Sequence, residues 1–142
     1  MGSANDDGKM AGAKEMLERF GVEVDVHVMS AHRNPADVAE FATNAKANGY
    51  AVLIGGAGLA AHLAGVLAAH TTLPVIGVPL SGGISNGLDA LLATVQMPSG
   101  IPVATVAVDG SKNAGILAAQ IIAVTDEDVA KKLDEFKQGG AR

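Results

Sequence analysis

The sequence predicts an α/β fold in which helices cover both faces of a parallel sheet. Segments with apolar residues at helical spacing alternate along the chain with short apolar runs. One of these runs, Ala51–Ile54, is continuously apolar and followed by glycines, as expected for a strand that is buried on both faces. Alternation of helices with such strands is typical of parallel sheets.

The first helix is predicted from four apolar residues at helical spacing that end before Gly21, namely Met10, Ala13, Leu17 and Phe20. Valines then alternate with polar residues over Val22–Val28, which indicates a strand with one solvent-facing side. Asn34 and Pro35 have the pattern of an N-cap followed by proline at the first helical position, and Gly49 ends that helix.

The rest of the chain continues this alternation. We expect a helix, a short buried strand, a helix, a strand and a helix over Ala60–His70, Val75–Val78, Leu88–Val95, Val103–Val108 and Ala114–Ala123. A last helix is predicted to begin with Thr125 as its cap and Asp128 as the partner in a capping box. Its apolar residues Val129, Leu133 and Phe136 are expected to dock on the rest of the protein.

Composition excludes several classes of function. The chain has 142 residues, 49% of them hydrophobic, which predicts a single domain over 1–142 with a core region 1–123 and a C-terminal helix in 124–142. It has no cysteine, so thiolate metal sites and cysteine nucleophiles are excluded. A net charge of −5 without a basic cluster argues against nucleic acid as a partner. We recognise no targeting signal or membrane span, so we expect a cytoplasmic protein.

The beginning of the chain is unusual for this fold class. Doubly wound sheets normally place a central strand before the first helix, and none is visible here. We interpret Met1–Ser3 either as a remnant of cloning or as the end of a first strand whose earlier residues are missing. The expected parallel sheet therefore has its first strand truncated or missing.

Candidate functional residues lie in three segments at the expected ligand-binding edge of the sheet: Gly2–Asp6, Ser30–Pro35 and Gly55–His62. Ligands of open α/β sheets bind beyond the carboxyl ends of the strands. Each segment also has a purely structural interpretation. Glycine-rich segments are mostly tight turns, and Ser3 and Asp6 can serve as helix caps.

His32 and Arg33 are the most informative pair. A titratable imidazole beside a fixed cation suits acid–base chemistry on an anionic substrate. His62 and His70 lie in an apolar helical stretch, where a structural histidine is more common than a ligand. The four histidines lack metal-ligand spacing, so no metal site is predicted.

Several motifs, taken together and in order, resemble the PurE family of N5-carboxyaminoimidazole ribonucleotide mutases in bacterial purine biosynthesis. The motifs are S-A-H-R-N-P (30–35), G-A-G-L-A-A-H-L (56–63), T-L-P-V-I-G-V-P (72–79), N-G-L-D-A-L-L-A-T-V-Q-M-P (86–98) and K-N-A-G-I-L-A-A-Q-I (112–121). The resemblance covers Met1 to about Ala123. It implies a flavodoxin-like three-layer αβα sandwich and a homo-octamer whose active sites combine residues of several subunits. It also implies a reaction without metal, ATP or organic cofactor.

The resemblance also implies roles for individual residues. The reaction moves a carboxylate from the exocyclic nitrogen of an imidazole ribonucleotide to ring carbon C4, through loss and recapture of CO2. His32 is the expected general acid and base. The expected substrate-binding residues are Ser3, Asn5, Asp6, Ser30, Ala31, Arg33, Gly56, Ala57, Gly58, Leu59, His62 and Leu63. Among these, Ser3 and Arg33 would hold the phosphate and Asp6 the ribose hydroxyls, while the loop 56–62 would enclose the imidazole and CO2.

The sequence departs from the family pattern at three of its positions. Asn5 stands where the family usually has serine, and Leu59 and Ala64 replace a glycine and a proline in the loop motif. Two alternatives stay open beside the mutase: a carboxylase that uses free CO2 and aminoimidazole ribonucleotide, and a non-catalytic nucleotide-binding module. Arg33 and the strings 60–63 and 88–98 resemble the mutase branch more.

Overall fold

Three parallel strands form the centre of the protein in a computed structural model that describes residues 1–141. In the order of the sheet they are β1 (Leu53–Gly58), β2 (Val75–Leu80) and β3 (Ala104–Thr105). The register of β1 against β2 runs from Leu53 opposite Val75 to Gly58 opposite Leu80. All six residues of β2 are buried, because helices cover this strand on both faces.

Six α-helices flank the sheet within the described residues: α1 (Asp7–Arg19), α2 (Pro35–Asn44), α3 (Leu63–His70), α4 (Leu88–Val95), α5 (Ser111–Ile122) and α6 (Glu127–Gln138). Helices α1, α5 and α6 share one apolar cluster with β2, and α2 and α3 share a second cluster with the start of β1 and β2. The layers are therefore helix, sheet, helix, which confirms the predicted flavodoxin-like α/β architecture. None of these helices is long and apolar enough to cross a membrane.

The first cluster depends on close approach between helices α1 and α5. Gly12 and Gly115 lie buried at their contact, where side chains would separate the helices. Helix α6 docks on the same cluster through Phe136, whose ring meets that of Phe20 edge to face at 5.4 Å between centroids. The predicted docking of the last helix through Val129, Leu133 and Phe136 is confirmed.

Several predicted elements have different bounds in the structure. The strand predicted to begin at Ala51 begins at Leu53 and continues through the glycines to Gly58, so the turn follows them at 59–62. The helix predicted from Ala60 begins at Leu63 for the same reason. The strand predicted over Val103–Val108 is reduced to two residues. The N-cap of α6 is Asp126, which accepts a hydrogen bond from the Val129 amide at 3.0 Å, and not Thr125.

The strand predicted over Val22–Val28 is wrong, since this segment is not part of the sheet. Val22 and Val24 pack against the first apolar cluster, but Val26 and Val28 are 51% and 55% exposed. This segment forms no strand because it has no neighbouring strand over most of its length. A strand is defined by the hydrogen bonds that it shares with such a neighbour. Only its end, at 27–29, is paired, and the partner there is Met1.

We predict that Gly115→Ala lowers the free energy of unfolding by about 1–2 kcal/mol. The added Cβ would lie 2.6 Å from the Ala13 carbonyl oxygen and 3.1 Å from its Cα, so α1 and α5 would have to move apart. Gly8→Ala is the matched control, because nothing lies within 4 Å of its Cβ position. Urea denaturation of the three proteins measures the difference; equal midpoints for both variants would contradict the close-packing argument.

Candidate active site

A cleft of about 730 Å³ opens at the carboxyl edge of the sheet. Its walls come from all three segments that the sequence singled out. The predicted site residues that line it are Ser3, Asn5, Asp6, Ser30, Ala31, His32, Arg33, Ala57, Gly58, Leu59, His62 and Leu63. Gly56 lies behind the wall, where its carbonyl oxygen accepts a hydrogen bond from the Gly2 amide at 3.1 Å.

Ser30 organises the turn that carries the histidine. Its buried hydroxyl oxygen accepts hydrogen bonds from the amides of His32 and Arg33, both at 3.3 Å. Its carbonyl oxygen accepts a third from the Asn34 amide at 2.8 Å, just before α2 begins at Pro35. Three bonds to one serine fix the backbone of this turn, so His32 is held at the mouth of the cleft rather than on a loose loop.

His32 and His62 meet across the cleft, which the sequence did not predict. His32 Nε2 lies 2.8 Å from His62 Nδ1, and the ring centroids are 4.8 Å apart. One nitrogen must carry the hydrogen and the other must present a lone pair. His62 does not lie within the helix as predicted: it stands exposed just before α3, and its imidazole faces that of His32.

Arg33 connects two of the segments. Its guanidinium Nη2 donates to the Gly2 carbonyl oxygen at 3.0 Å, which draws the cation to the start of the first loop. In that loop the hydroxyl oxygen of Ser3 accepts from the Asn5 amide at 3.3 Å and opens the short turn Ala4–Asp6 ahead of α1. A guanidinium and a hydroxyl therefore lie together at one end of the cleft, beside the start of the first helix, and these groups suit an anionic ligand.

The loop after β1 has a constrained backbone. Leu59 adopts a left-handed conformation with φ of 55°, which is uncommon for a residue with a branched side chain. Its carbonyl oxygen accepts from the Ala61 amide at 2.9 Å, and that of Ala60 accepts from the His62 amide at 2.8 Å. Because of these tight turns, α3 begins only at Leu63. His62 therefore lies ahead of the helix, where its side chain faces His32.

Lys9, Ser81 and Gly82 also line the cleft and were missed by the sequence reasoning. The Lys9 ammonium donates to the carbonyl oxygen of Ser81 at 2.7 Å and to its hydroxyl at 3.0 Å. Ser81 could have been found from the sequence, because it follows a predicted buried strand and ligands of parallel sheets bind beyond the carboxyl ends of the strands. Lys9 gave no such signal, because a lysine on the first helix looks like an ordinary exposed residue.

Asp109 completes this cluster from the loop after β3. Its carboxylate oxygen accepts from the Ser81 amide at 2.9 Å. Burial alone would raise the pKa of Asp109, but the hydrogen bonds from Ser81 and the positive charge of Lys9 together lower it. Lys9, Ser81 and Asp109 thus tie α1 to the two loops that follow β2 and β3.

Comparison with known proteins identifies the family. A family model described as AIR carboxylase matches residues 1–142. The N5-carboxyaminoimidazole ribonucleotide mutase of Thermotoga maritima is 50% identical over 138 residues, which are 97% of this chain and 81% of that protein. The chain belongs to the AIR carboxylase family. The resemblance to PurE proteins in the sequence is thereby confirmed.

Two further comparisons show how much of each relative this AIR carboxylase family member matches. A solved structure of Treponema denticola PurE superimposes with a TM-score of 0.90 at 28% identity and covers 99% of this chain and 88% of that one. The phosphoribosylaminoimidazole carboxylase of Candida glabrata is 48% identical over 136 residues, but these make up only 24% of that longer protein. This chain therefore matches the mutases over most of their length, and the carboxylase over one part.

We predict that Lys9→Met loosens the segment 81–87 without unfolding the protein. The loss of the ammonium removes both hydrogen bonds to Ser81, and the segment already contains left-handed residues at Ser85 and Asn86. Hydrogen exchange of peptides covering 81–87 is expected to accelerate about tenfold. Lys14→Met is the control, because Lys14 pairs only with Glu18 on the exposed side of α1. Unchanged exchange in Lys9→Met would show that this lysine does not hold the segment.

Proposed function

We propose that this chain is an N5-carboxyaminoimidazole ribonucleotide mutase that works in purine biosynthesis, an isomerase that transfers a carboxylate within its substrate. The relatives that it matches over most of their length carry this activity in their names. The observation that supports the chemistry is the contact of 2.8 Å between His32 and His62 at the mouth of the cleft. A carboxylate shift between nitrogen and carbon requires a positioned proton carrier, and the contact with His62 holds the His32 imidazole in place.

Substrate binding follows from the two ends of the cleft. The phosphate is held where the side chains of Arg33 and Ser3 meet at the start of the Ala4–Asp6 turn. Asp6, half-buried beside them, accepts hydrogen bonds from the ribose hydroxyls. The imidazole then lies toward the loop 57–63 and the two histidines. The remaining predicted residues, Asn5, Ser30, Ala31 and Gly56, shape the walls or support them.

The proton moves through His32 in both halves of the reaction. When the bond between the exocyclic nitrogen and the carboxylate breaks, its electrons stay on nitrogen, and His32 donates a proton there. The liberated CO2 is then attacked by ring carbon C4, and His32 removes the C4 proton. The imidazole ends as it began, so no other acid or base is consumed. His62 accepts or supplies the hydrogen that the pair shares, and this keeps the His32 nitrogen correctly oriented.

Retention of CO2 depends on the loop after β1. Ala57 and Gly58 leave room for a small neutral molecule, and Leu59, which is 63% exposed, is placed to cover it once substrate fills the cleft. The exclusion of water favours recapture at C4 over loss of CO2 to solvent. A mutase therefore needs a loop that encloses CO2 in addition to a base that moves the proton.

We predict that His32→Asn abolishes turnover, by a factor of at least about 10³, while the substrate still binds. His62→Asn is expected to lower turnover less and to alter the pH–rate profile, because it removes only the partner of the proton carrier. His70→Asn is the matched control, since His70 lies at the end of α3 and outside the cleft. The assay follows conversion of N5-carboxyaminoimidazole ribonucleotide to its C4 isomer without ATP or added metal, with binding measured separately by calorimetry.

The same assay separates the alternatives. A carboxylase would ignore the N5-carboxylated substrate and convert aminoimidazole ribonucleotide when CO2 is supplied. A nucleotide-binding module would bind the ribonucleotide with the same affinity in wild type and in His32→Asn, and neither protein would turn it over. Either result would overturn the mutase proposal.

We also propose that the enzyme is a cytoplasmic homo-octamer, as the family resemblance implies. In the described subunit, α4 exposes an apolar face on which Leu88, Leu92 and Val95 are all nearly half exposed. These residues follow one another at helical spacing, and such a face is covered most simply by a neighbouring subunit. A single-domain subunit with α6 docked on the core fits the same arrangement.

We predict that Leu92→Glu dissociates the assembly, because a carboxylate would be buried in the apolar contact. Multi-angle light scattering is expected to give eight times the 14.2 kDa of one chain for wild type and for the conservative Leu92→Met, and a smaller mass for Leu92→Glu. Circular dichroism checks that the glutamate variant stays folded. A wild-type monomer would contradict the proposed assembly.

A further inference from the structure

One wall of the cleft carries a cation that the function proposed above does not use. Lys9 lies there together with Ser81 and Gly82. The Lys9 ammonium donates hydrogen bonds to the carbonyl oxygen of Ser81 at 2.7 Å and to its hydroxyl oxygen at 3.0 Å. An ammonium has three N–H donors, so one donor is left for another acceptor. Among residues 1–141, no carboxylate lies within ion-pair distance of this ammonium, so its charge has no direct counterpart.

The position of Lys9 is fixed before any ligand binds. The Ser81 amide donates to the Asp109 carboxylate at 2.9 Å, and the Asp109 amide donates to the Pro79 carbonyl oxygen at the same distance. Ser81 is therefore tied to the end of β2 and to the loop after β3, and its two oxygens hold the ammonium. A lysine that is ordered only by its ligand loses much side-chain entropy on binding. Here the protein has already restricted the side chain, which favours the binding of an anion.

The two cations of the cleft lie on opposite sides of β1. Arg33 donates to the carbonyl oxygen of Gly2, and the Gly2 amide is bonded to Gly56 in β1. Lys9 is bonded to Ser81, which directly follows β2 on the other side of β1. Neighbouring strands lie about 4.8 Å apart, so at least two strand spacings, roughly 10 Å, separate the groups that hold the two cations. The cleft therefore has a fixed positive charge at each end.

The proposed substrate has two anionic groups, so the inference drawn from this pair of cations rests on the proposed function. The ribonucleotide carries a phosphate at one end and a carboxylate on its imidazole at the other, with the ribose between them. Arg33 is assigned to the phosphate, and Asp6, three positions before Lys9, to the ribose. The imidazole lies toward the loop 57–63, and Ser81 leaves the sheet beside this loop. The carboxylate is thus the group that reaches the end of the cleft where Lys9 lies.

We propose that Lys9 binds the carboxylate of the substrate and of the product, and so makes the cleft select carboxylated ribonucleotides over aminoimidazole ribonucleotide. The remaining N–H of the ammonium donates a charge-assisted hydrogen bond to a carboxylate oxygen. The carboxylate has the same charge before and after the shift, whereas the CO2 formed between the two states is neutral. Lys9 therefore stabilises both bound states and not the step between them, and its loss affects KM rather than kcat.

Calorimetry with two ribonucleotides that differ only in the carboxylate tests this role on the full chain. The probes are aminoimidazole ribonucleotide and its 4-carboxy derivative, the product of the proposed reaction. Lys9→Met is expected to weaken binding of the carboxylated probe about tenfold and to change that of the other probe less than about twofold. Lys9→Arg keeps the charge and is expected to keep the preference of the wild type. Lys14→Met is the matched control, because Lys14 pairs with Glu18 on the exposed side of α1.

Kinetics give a second measurement that loosening of the segment 81–87 alone would not imitate. In the conversion assay, Lys9→Met is expected to raise KM about tenfold while kcat does not fall. Equal weakening of both probes in Lys9→Met would show that the lysine only holds the segment, and it would overturn the proposal. An unchanged preference in Lys9→Met would also overturn it. Failure of the wild type to bind either probe would overturn the proposed function itself and this role with it, so the two failures are distinguishable.

Discussion

The register between β1 and β2 is the constraint on which the site depends. Leu53 lies opposite Val75 and Gly58 opposite Leu80, so both strands end at the same level of the sheet. The loop that carries His62 and the loop that carries Ser81 therefore leave the sheet side by side. All six residues of β2 are buried, so shape rather than polarity specifies the register: Gly77 leaves room for the side chains of Thr94 and Val103. A shift of one residue would place a branched side chain at this point. The register in turn fixes the cleft.

Around that edge the protein relies on short polar links rather than on large side chains. Ser30 holds the His32 turn, Arg33 holds the Gly2 carbonyl, and Lys9 and Asp109 hold Ser81. Such groups suit a cleft that we propose to bind a charged ribonucleotide, because each can serve the fold while leaving space. The glycine-rich strand β1 has the same effect, since Gly55 and Gly56 allow α3 and Met10 to approach the sheet closely.

Much of this arrangement could be predicted from the sequence, for physical reasons. The six helices were predicted because apolar spacing and stop residues are local signals, and α4 has the predicted bounds Leu88–Val95. The three segments of the cleft followed from the edge rule for parallel sheets. The largest failure depended on a partner that is distant in the sequence. The Val22–Val28 pattern is that of a strand, but a strand exists only when a neighbour pairs with it.

The two histidines show the same limit within the site. His32 could be singled out by its neighbour in sequence, Arg33, and by its place in a loop. His62 was included only through the family resemblance, because its contact with His32 joins positions 30 residues apart in the chain. The apolar residues around it pointed to a structural role, and those residues do belong to the second apolar cluster through Leu63 and Ala64. The imidazole escapes burial because the turns at Leu59 and Ala60 delay the start of α3 until after His62.

The backbone of Met1 links the 27–29 segment to the cleft. Met1 is held between the 27–29 segment and β1, and the next residue, Gly2, donates to Gly56 and accepts from Arg33. Ser3 and the turn that opens α1 follow at once. The position of the first loop at the edge of the cleft is therefore set by the hydrogen bonds that hold Met1 and Gly2 between the 27–29 segment and β1.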